Sequence, residues 1–453
     1  LQHHHLAVSE KQEFDDRDYL SMESWQGSVV VTTFNQLFRA LFPARAQQTM
    51  RLKALEGAFV IVDEPQIIDS GTWNLFLAML EALARNKYMQ VLLMTATLPP
   101  TEAGLTTTPV PLAPQKLKTA NRFDISVEKG SWDAQSLAEI AVTTCEEKGS
   151  VGVVVNTIAD ATQIYLAARN LAGDNIDIFN LHACMQPQHK RYQIKTIQDK
   201  MANKSGKPVL VISTQIIEAG VDLSFRHIFR ARPIVPSVVQ VAGRVNRHGE
   251  GEPGIVSVVD FFREGKTDTR HYVYRDIITR EETDALLTIG SRWEEEKTSQ
   301  LVRTYYKEVF ARNLNTAILE CFSDAAAGQW SSLAGIEPFR SDLPSVPVFV
   351  PAGEKWLTDN AKELMAHYNC LKIEDLYESY VEPGWLARKT FIERKRFLSL
   401  MQEFIVPVNF KVAQQVADLS GEKTIVPAVD PKDYSAETGF GHFVGVNPES
   451  IFL

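Results

Sequence analysis

The sequence lacks the features typical of membrane, disulfide-rich or zinc-binding proteins. No apolar run approaches the roughly 20 residues that a helix needs to cross a bilayer. The four cysteines lie far apart and include no CxxC pair, so neither a disulfide framework nor a zinc site is expected. The net charge of -9 argues against an evenly basic nucleic-acid-binding surface, although a locally basic groove is compatible with it. We therefore expect a cytoplasmic protein with no membrane partner.

A glycine-rich phosphate-binding loop is also missing. Such a loop ends in Lys followed by Ser or Thr and comes after the first strand of its domain. Ser205-Gly206-Lys207-Pro208 is a partial match, but proline replaces the hydroxyl residue and the segment precedes a strand. A complete nucleotide site would need phosphate-binding residues from another polypeptide segment.

The apolar pattern predicts an α/β protein. With 453 residues, 45% hydrophobic and 23% charged, the chain is long enough for two or three domains. Short runs rich in Val and Ile alternate with helix-like stretches between Val29 and Leu98, and the pattern restarts at Val151, which indicates two parallel sheets with helical crossovers. Buried strands are expected at 28–31 and 59–62.

The carboxyl-terminal third has a different pattern. From Glu281 to Phe322, apolar residues recur at intervals of three and four, which predicts long amphipathic helices. Short strand-like and helical pieces are mixed after Pro344. We predict an incomplete first α/β domain, a second α/β domain, a helical linker and a small α+β accessory domain, at residues 1–115, 116–270, 271–343 and 344–453.

The strongest local signal is an apolar run that ends in two adjacent carboxylates. Val62 is followed by Asp63, Glu64, Pro65 and Gln66, at a point where the carboxyl edge of a parallel sheet binds ligands. In nucleotide hydrolysis the first carboxylate can hold Mg²⁺ and the second can orient the attacking water. A solvated strand end is the alternative interpretation of this segment alone.

Three further segments follow predicted strands. Thr95 and Thr97 place small hydroxyl residues where a hydrogen-bond network could link a nucleotide site to a nucleic-acid site. Residues 213–222 combine Thr214 with Gly220 and Asp222, and the glycine would let the backbone approach a ligand.

The last segment, residues 240–247, contains Gln240 and two arginines. Arg244 and Arg247 are three residues apart, which on a helix would place them on one face. Arginine suits phosphate because its planar fork donates two hydrogen bonds, and it can serve as an arginine finger.

Together, these four segments resemble motifs II, III, V and VI of superfamily 2 helicases, in the order of that family. The Asp-Glu-Pro-Gln sequence at 63–66 and Gly-Arg-Val-Asn-Arg at 243–247 resemble the CRISPR-associated helicase-nucleases of type I interference. The resemblance implies two RecA-like domains with ATP and Mg²⁺ between them. It assigns catalysis to Asp63, Glu64, Arg244 and Arg247, metal binding to Asp63, and nucleotide contacts to Gln66, Gly220, Asp222 and Gln240.

The same resemblance implies a track for single-stranded DNA, gripped mainly through its backbone. Val31-Thr32-Thr33-Phe34 resembles motif Ic, so Thr32 and Thr33 are expected on the track. Thr157 and Thr214 are the candidates in the second domain. For each threonine the alternative is a strand-end cap, and Arg226, Arg230 and Arg232 either add positive field near the cleft or form a solvated face.

Three functions are compatible with this sequence. The first is an ATP-dependent translocase part of a CRISPR interference effector, recruited to a type I surveillance complex and needing upstream residues for phosphate binding and nuclease chemistry. As an isolated chain it would be inactive. The second is a truncated, non-hydrolysing module that binds DNA or the complex. The third is a DNA-repair or RNA helicase of the same superfamily, against which the Asp-Glu-Pro-Gln sequence argues.

Overall fold

The computed structural model describes residues 2–3, 16–95, 98–112, 121–203, 206–218, 220–264, 266–313, 316–338, 345–421 and 423–444. They belong to two compact units, which we describe separately. The first unit comprises Leu1–Leu117, Tyr306–Asp342 and Ala387–Ser399, and the second comprises Lys118–Tyr305, Leu343–Leu386 and Leu400–Leu453. The four-part division along the chain stays a prediction.

The described strands of the first unit form two parallel pairs. Phe59–Asp63 pairs with Gln90–Met94, with Phe59 opposite Gln90 and Asp63 opposite Met94. Gln2–His3 pairs with Val31–Thr32. The helices are Asp16–Glu23, Phe34–Leu41, Ala46–Thr49, Ser70–Lys87, Glu320–Ala326 and Ser331–Ala334, with 3-10 turns at Met50–Lys53, Pro65–Ile67 and Thr316–Leu319.

One face of the Phe59–Asp63 pair is exposed, contrary to the prediction of fully buried strands. Val62 is buried, whereas Phe59 is 61% exposed, Ile61 55% and Met94 46%. Successive side chains of a strand point to opposite faces, so Phe59 and Ile61 share a face that Val62 does not. We call Phe59, Ile61 and Met94 the uncovered sheet face. The predicted buried strand at 28–31 is also wrong, because the strand is limited to Val31–Thr32 and both Val29 and Val31 are exposed.

The second unit contains an eight-stranded sheet built on six parallel strands. Antiparallel strands flank it, Arg292–Glu294 against Phe123–Trp132 and Thr267–Asp268 against Gly254–Arg263. The order along the sheet is Arg292–Glu294, Phe123–Trp132, Gly254–Arg263, His227–Ala231, Ser150–Val154, Val209–Ser213 and Asp177–Leu181.

Helices cover this sheet and leave little of it exposed. Strands Ser150–Val154, Val209–Ser213 and His227–Ala231 are almost completely buried, as expected for a parallel sheet with crossovers on both faces. The crossovers and later helices are Ala134–Lys148, Ile158–Ala172, Pro187–Ala202, Val235–Ala242, Ile277–Leu286, Asp359–His367, Ile373–Val381 and Phe410–Val416. Two further helices, Glu295–Arg312 and Phe391–Gln402, have residues in both units.

A three-stranded sheet follows in the same unit. Ser345–Phe349 lies between antiparallel Ile405–Asn409 and parallel Val426–Pro427. Trp356 and Tyr434, which lie in segments that follow strands of this sheet, pack on His189 of helix Pro187–Ala202. The His189 ring stacks on Trp356 with centroids 3.7 Å apart, and its Nδ1 lies 3.0 Å from the Tyr434 hydroxyl.

Two histidines, His182 and His189, are buried in the second unit, and a third, His227, is half-buried. Burial lowers the pKa of His182 and of His189 to about 3, and that of His227 to about 4. The imidazoles of these three histidines are therefore neutral in the folded unit near neutral pH. No helix among the described residues has both the length and the apolar content needed to span a bilayer.

Candidate functional site

The acidic turn of the first unit comes directly after a strand. Asp63 ends strand Phe59–Asp63 with its side chain exposed. Glu64 adopts a left-handed backbone, with φ 50° and ψ 51°, and Pro65 begins a 3-10 turn. The Glu64 amide donates to the Met94 carbonyl at 2.8 Å, which ties the turn to the neighbouring strand. Both carboxylates therefore lie at the carboxyl edge of the parallel pair.

Gln66 and Thr95 hold the Glu64 carboxylate. The Gln66 amide donates to Oε2 of Glu64, and the Thr95 hydroxyl donates to Oε1 of Gln66 at 2.6 Å. Thr95 Oγ1 also lies 3.4 Å from Oε2 of Glu64. The structure thus joins the acidic turn to the end of the next strand through three side chains. Thr97 lies outside the described residues.

The two threonines of the predicted motif Ic have different surroundings. Thr32 is half-buried in strand Val31–Thr32. Thr33 caps helix Phe34–Leu41, and its hydroxyl accepts a hydrogen bond from the Gln36 amide at 3.4 Å. Their contact with DNA stays a prediction.

In the second unit, the loop after strand Val209–Ser213 carries the predicted nucleotide contacts. Thr214 is buried at its start. Gly220 has a positive φ of 76°, and a side chain built there would meet no atom within 4 Å, so the backbone is open to a ligand. The exposed Asp222 carboxylate pairs with Arg247, with Nε and Oδ1 3.3 Å apart.

The two arginines do not share a helical face, so that prediction is wrong. Helix Val235–Ala242 ends before both of them, with Gln240 in its last turn. Asn246 has a positive φ of 44°, and its amide donates to the Phe225 carbonyl at 2.8 Å. The chain between the arginines therefore turns back along the segment that contains Phe225.

Arg244 contacts the loop that carries Gly220. Its Nε and Nη2 donate to the Glu218 carbonyl at 3.2 and 2.9 Å. The Arg244 and Arg247 side chains therefore both contact residues of 213–222, Arg244 through a main-chain carbonyl and Arg247 through Asp222. The resemblance predicted residues in both segments but not these contacts.

The Thr157 hydroxyl is fully used within the protein. It caps helix Ile158–Ala172 by accepting from the Asp160 amide at 3.2 Å, and it donates to Asp160 Oδ2 at 2.7 Å. It also accepts from Nη2 of Arg263 at 2.8 Å. A hydroxyl has one donor and two acceptor positions, so this one has no hydrogen-bonding capacity left for a DNA phosphate.

The three arginines expected near a cleft or on a solvated face form internal contacts instead. Arg230 is fully buried and pairs with Glu218, with Nη2 and Oε1 3.0 Å apart. Arg232 is almost buried and pairs with Asp260. Arg226 donates to the carbonyls of residues 250 and 252 at 2.8 and 3.2 Å. Sequence alone does not distinguish these arginines from surface ones.

Glu218 and Arg230 are the residues that sequence reasoning did not assign to a site. Burial raises the pKa of the Glu218 carboxyl, and the Arg230 guanidinium and the Ser237 hydroxyl oppose that rise. The available signal was Arg230 itself, a charge inside the otherwise apolar segment His227–Ala231. Among the described residues no group of three or more His, Cys, Asp or Glu side chains could hold a metal ion.

Comparisons with known proteins show similarity to CRISPR-associated nuclease/helicases. Residues 147–250 match the family described as CRISPR-associated nuclease/helicase Cas3, C-terminal. The chain is 25% identical over 419 residues to the CRISPR-associated nuclease/helicase Cas3 of Haloferax volcanii, covering 68% of this chain and 44% of that protein.

Solved structures show the same fold. A crystal structure of T. fusca Cas3 matches with a TM-score of 0.62 at 16% identity, over 91% of this chain and 55% of that one. A chain in a CRISPR RNA-guided surveillance complex, pre-nicking, matches with a TM-score of 0.55 at 15% identity, over 90% and 57%. The chain spans about half the length of these relatives. The predicted RecA-like α/β fold is confirmed, and so is the resemblance to the helicase part of Cas3.

Proposed function

We propose that this chain, the carboxyl-terminal helicase part of a Cas3 relative, hydrolyses ATP to move along single-stranded DNA during CRISPR interference. The observation that supports it most is the acidic turn, in which Gln66 and Thr95 hold the carboxylate of Glu64. The network connects two motifs that are 29 residues apart in the chain. A solvated strand end has no need of it.

The carboxylates supply the metal and water chemistry in this proposal. Mg²⁺ is usually held by one or two carboxylates together with substrate phosphates and water, and the exposed Asp63 suits that role. Glu64 orients the attacking water. Gln66 contacts both the nucleotide and the Glu64 side chain.

The second unit supplies the positive charge. Arg244 and Arg247 stabilise the charge that develops on the transferred phosphoryl group. Gly220 offers open backbone to the nucleotide, and Asp222 and Gln240 contact it from the neighbouring segments. Each unit therefore contributes a part that hydrolysis requires.

The DNA contacts come from the strand ends. Thr32, Thr33 and Thr214 bind the DNA backbone through hydroxyl or main-chain groups. At Thr157 only the main chain can do so, because the hydroxyl is engaged by Asp160 and Arg263.

An upstream segment completes the first unit, either in cis or as a separate chain. Parallel sheets of this class are covered on both faces, yet Phe59, Ile61 and Met94 are exposed. A strand and helix that cover this face would also bring the phosphate-binding loop, which the sequence lacks. The nuclease chemistry belongs to such additional residues.

A type I surveillance complex is the proposed partner. One structural relative is a chain in a CRISPR RNA-guided surveillance complex. The translocase would then act on DNA that such a complex has opened.

A non-hydrolysing DNA- or complex-binding module is the second candidate. The absence of a phosphate-binding loop favours it. Against it stands the Glu64–Gln66–Thr95 network, which mere binding does not require.

The deciding experiment measures ATP hydrolysis stimulated by single-stranded DNA, first with the isolated chain and then with the chain joined to its upstream residues. We expect turnover only in the joined protein, because phosphate binding needs the added loop. Robust turnover by the isolated chain would contradict the account of the missing loop. No turnover by either protein, with DNA binding intact, would favour the binding module.

Glu64→Gln in the joined protein separates hydrolysis from nucleotide binding. It should abolish turnover and leave ATP binding near the parental level, because the amide keeps the size of the side chain but cannot orient the water as a carboxylate does. Glu56→Gln is the matched control, since Glu56 lies on the surface of the same unit and pairs with Lys53. Normal turnover by Glu64→Gln would rule out the assigned role.

A further inference from the structure

A fully buried arginine lies in the centre of the large sheet. Arg230 is in strand His227–Ala231, between Ser150–Val154 and Gly254–Arg263, and its exposed fraction is 0%. Burying a guanidinium is unfavourable unless it is paired and hydrogen-bonded. The hydrogen-bonding partners of Arg230 therefore show which chain segments this side chain connects.

Those partners come from four separate segments, one of which contributes the Tyr274 hydroxyl at 3.1 Å from Nη2. Nη1 donates to the Asn156 amide oxygen at 2.8 Å, just beyond the end of strand Ser150–Val154. Nη2 pairs with Glu218 at 3.0 Å and donates to the Ser237 hydroxyl of helix Val235–Ala242, also at 3.0 Å. One side chain thus joins the strand end before Thr157, the loop of Gly220 and the helix before Arg244.

Glu218 extends this set of contacts to Arg244. Its carboxylate binds Arg230 and the Ser237 hydroxyl, the latter at 2.8 Å, while its carbonyl accepts two hydrogen bonds from the Arg244 guanidinium. The side chain and main chain of one residue therefore hold two arginines. The continuous series is Asn156, Arg230, Glu218 and Arg244.

The other end of the series adjoins the expected DNA track. Asn156 precedes Thr157, and the Val155 amide donates to the Ser213 carbonyl at 2.9 Å, next to Thr214. A displacement of these strand ends therefore acts directly on the Arg230 contacts. A packed ion pair with several fixed partners is the kind of physical network that carries coupling between sites.

We propose that Arg230 and Glu218 are positioning residues that couple DNA at the ends of strands Ser150–Val154 and Val209–Ser213 to the placement of Arg244. This inference rests on the proposed function and adds two residues that the motif resemblance did not assign to the site. Neither residue touches the nucleotide. They act by fixing the Glu218 carbonyl, which orients the Arg244 guanidinium.

The test uses the joined, hydrolysing protein and six variants. Arg230→Met and Glu218→Met alone each leave an unpaired buried group, so both are expected to lower the melting temperature. The double variant removes both charges, and replacing a buried ion pair by apolar residues is often neutral for stability. Melting should therefore recover in the double variant.

Coupling should not recover with stability. We expect the double variant to have a DNA-stimulated kcat about 10- to 100-fold below the parent, the size of a typical coupling between sites. The KM for ATP and the affinity for single-stranded DNA should stay within about 3-fold, since neither ligand touches these residues. Arg232→Met with Asp260→Met, another largely buried pair of this unit, is the matched control and should keep the parental kcat.

A double-mutant cycle identifies the target. Arg244→Ala added to the double variant should cost less than about 3-fold more, because residues that act through one another are not additive. Full additivity, or a parental kcat in the Arg230–Glu218 double variant while Arg244→Ala alone is defective, would overturn this inference and leave the proposed function intact. Parental turnover by Arg244→Ala alone would overturn both.

Discussion

The two units prepare their candidate sites to different degrees. In the first, the acidic turn rests on a two-stranded pair with one apolar face exposed. In the second, the Arg244 guanidinium donates to the Glu218 carbonyl, and the Glu218 carboxylate pairs with Arg230, which lies inside an eight-stranded sheet covered by helices. The contacts that hold Arg244 thus come from its own unit, whereas the carboxylate side is proposed to need additional polypeptide. The two units should therefore respond differently to substitution, to added sequence and to pH.

The largest expected effect is on turnover and concerns the second unit. Arg247→Ala in the joined protein should lower kcat by about 10³-fold, as loss of an arginine finger does. Steady-state ATP hydrolysis with saturating single-stranded DNA measures it. Arg292→Ala is the control, since Arg292 is an exposed arginine of the same unit that pairs with Asp124. A loss of less than about 10-fold would mean that Arg247 is not the finger.

A smaller effect tests the incompleteness of the first unit. Ile61→Ala should cost less than about 0.5 kcal/mol of unfolding free energy in the isolated chain, because Ile61 is exposed there. In the joined protein the same change should cost about 2–4 kcal/mol, the usual effect at a buried isoleucine. Denaturant unfolding of both proteins measures the difference.

Val62→Ala provides the comparison. Val62 is already buried, so its replacement by alanine should be destabilising in both proteins. Equal costs for Ile61→Ala with and without the upstream residues would show that they do not cover this face. The two units would then be equally complete, and the contrast between them would fail.

The smallest effect is on pH dependence and distinguishes the units by their histidines. The folded pKa of His189 is about 3, below the ordinary value of about 6.5 for an unfolded chain, so the unfolded state binds the proton first as pH falls. Its contribution to stability is complete above pH 6.5 and is lost progressively towards pH 3. Between pH 7.5 and 5.5 it amounts to about 1.4 kcal/mol.

His182 and His227 act in the same direction, whereas the first unit has no histidine beyond residue 5. Urea unfolding of the isolated chain at the two pH values should therefore show acid destabilisation of the second unit's transition. His189→Gln should remove about 1.4 kcal/mol of that dependence. An unchanged pH dependence in this variant would show that the pKa of His189 is the same in the folded and unfolded states.

The sequence was informative where chemistry coincides with a strand end. The apolar run before Asp63 predicted the strand and the turn that follows it. Thr95 contacts Gln66, while the predicted link from Thr95 to a nucleic-acid site stays a prediction. The sequence was misleading where residue spacing alone was used to predict the relative positions of side chains. Arg244 and Arg247 are three apart, but the helix ends at Ala242 and the chain between them turns.

Burial was harder to predict than secondary structure. The apolar residues of Phe59–Asp63 suggested a strand covered on both faces, but cover depends on neighbours that a local pattern does not reveal. Arg230 interrupts the apolar run of strand His227–Ala231, and its pairing with Glu218 together with hydrogen bonds to Asn156 and Ser237 makes that charge tolerable. Contacts between distant segments leave no periodic signal.

The left-handed backbone of Glu64 has a consequence for engineering this protein. That conformation disfavours any residue with a Cβ by about 1–2 kcal/mol, and glycine adopts it freely. A thermostabilisation programme that ranks substitutions by folding energy alone would therefore select glycine at this position. The resulting protein would be more stable but would lack the carboxylate on which hydrolysis is proposed to depend.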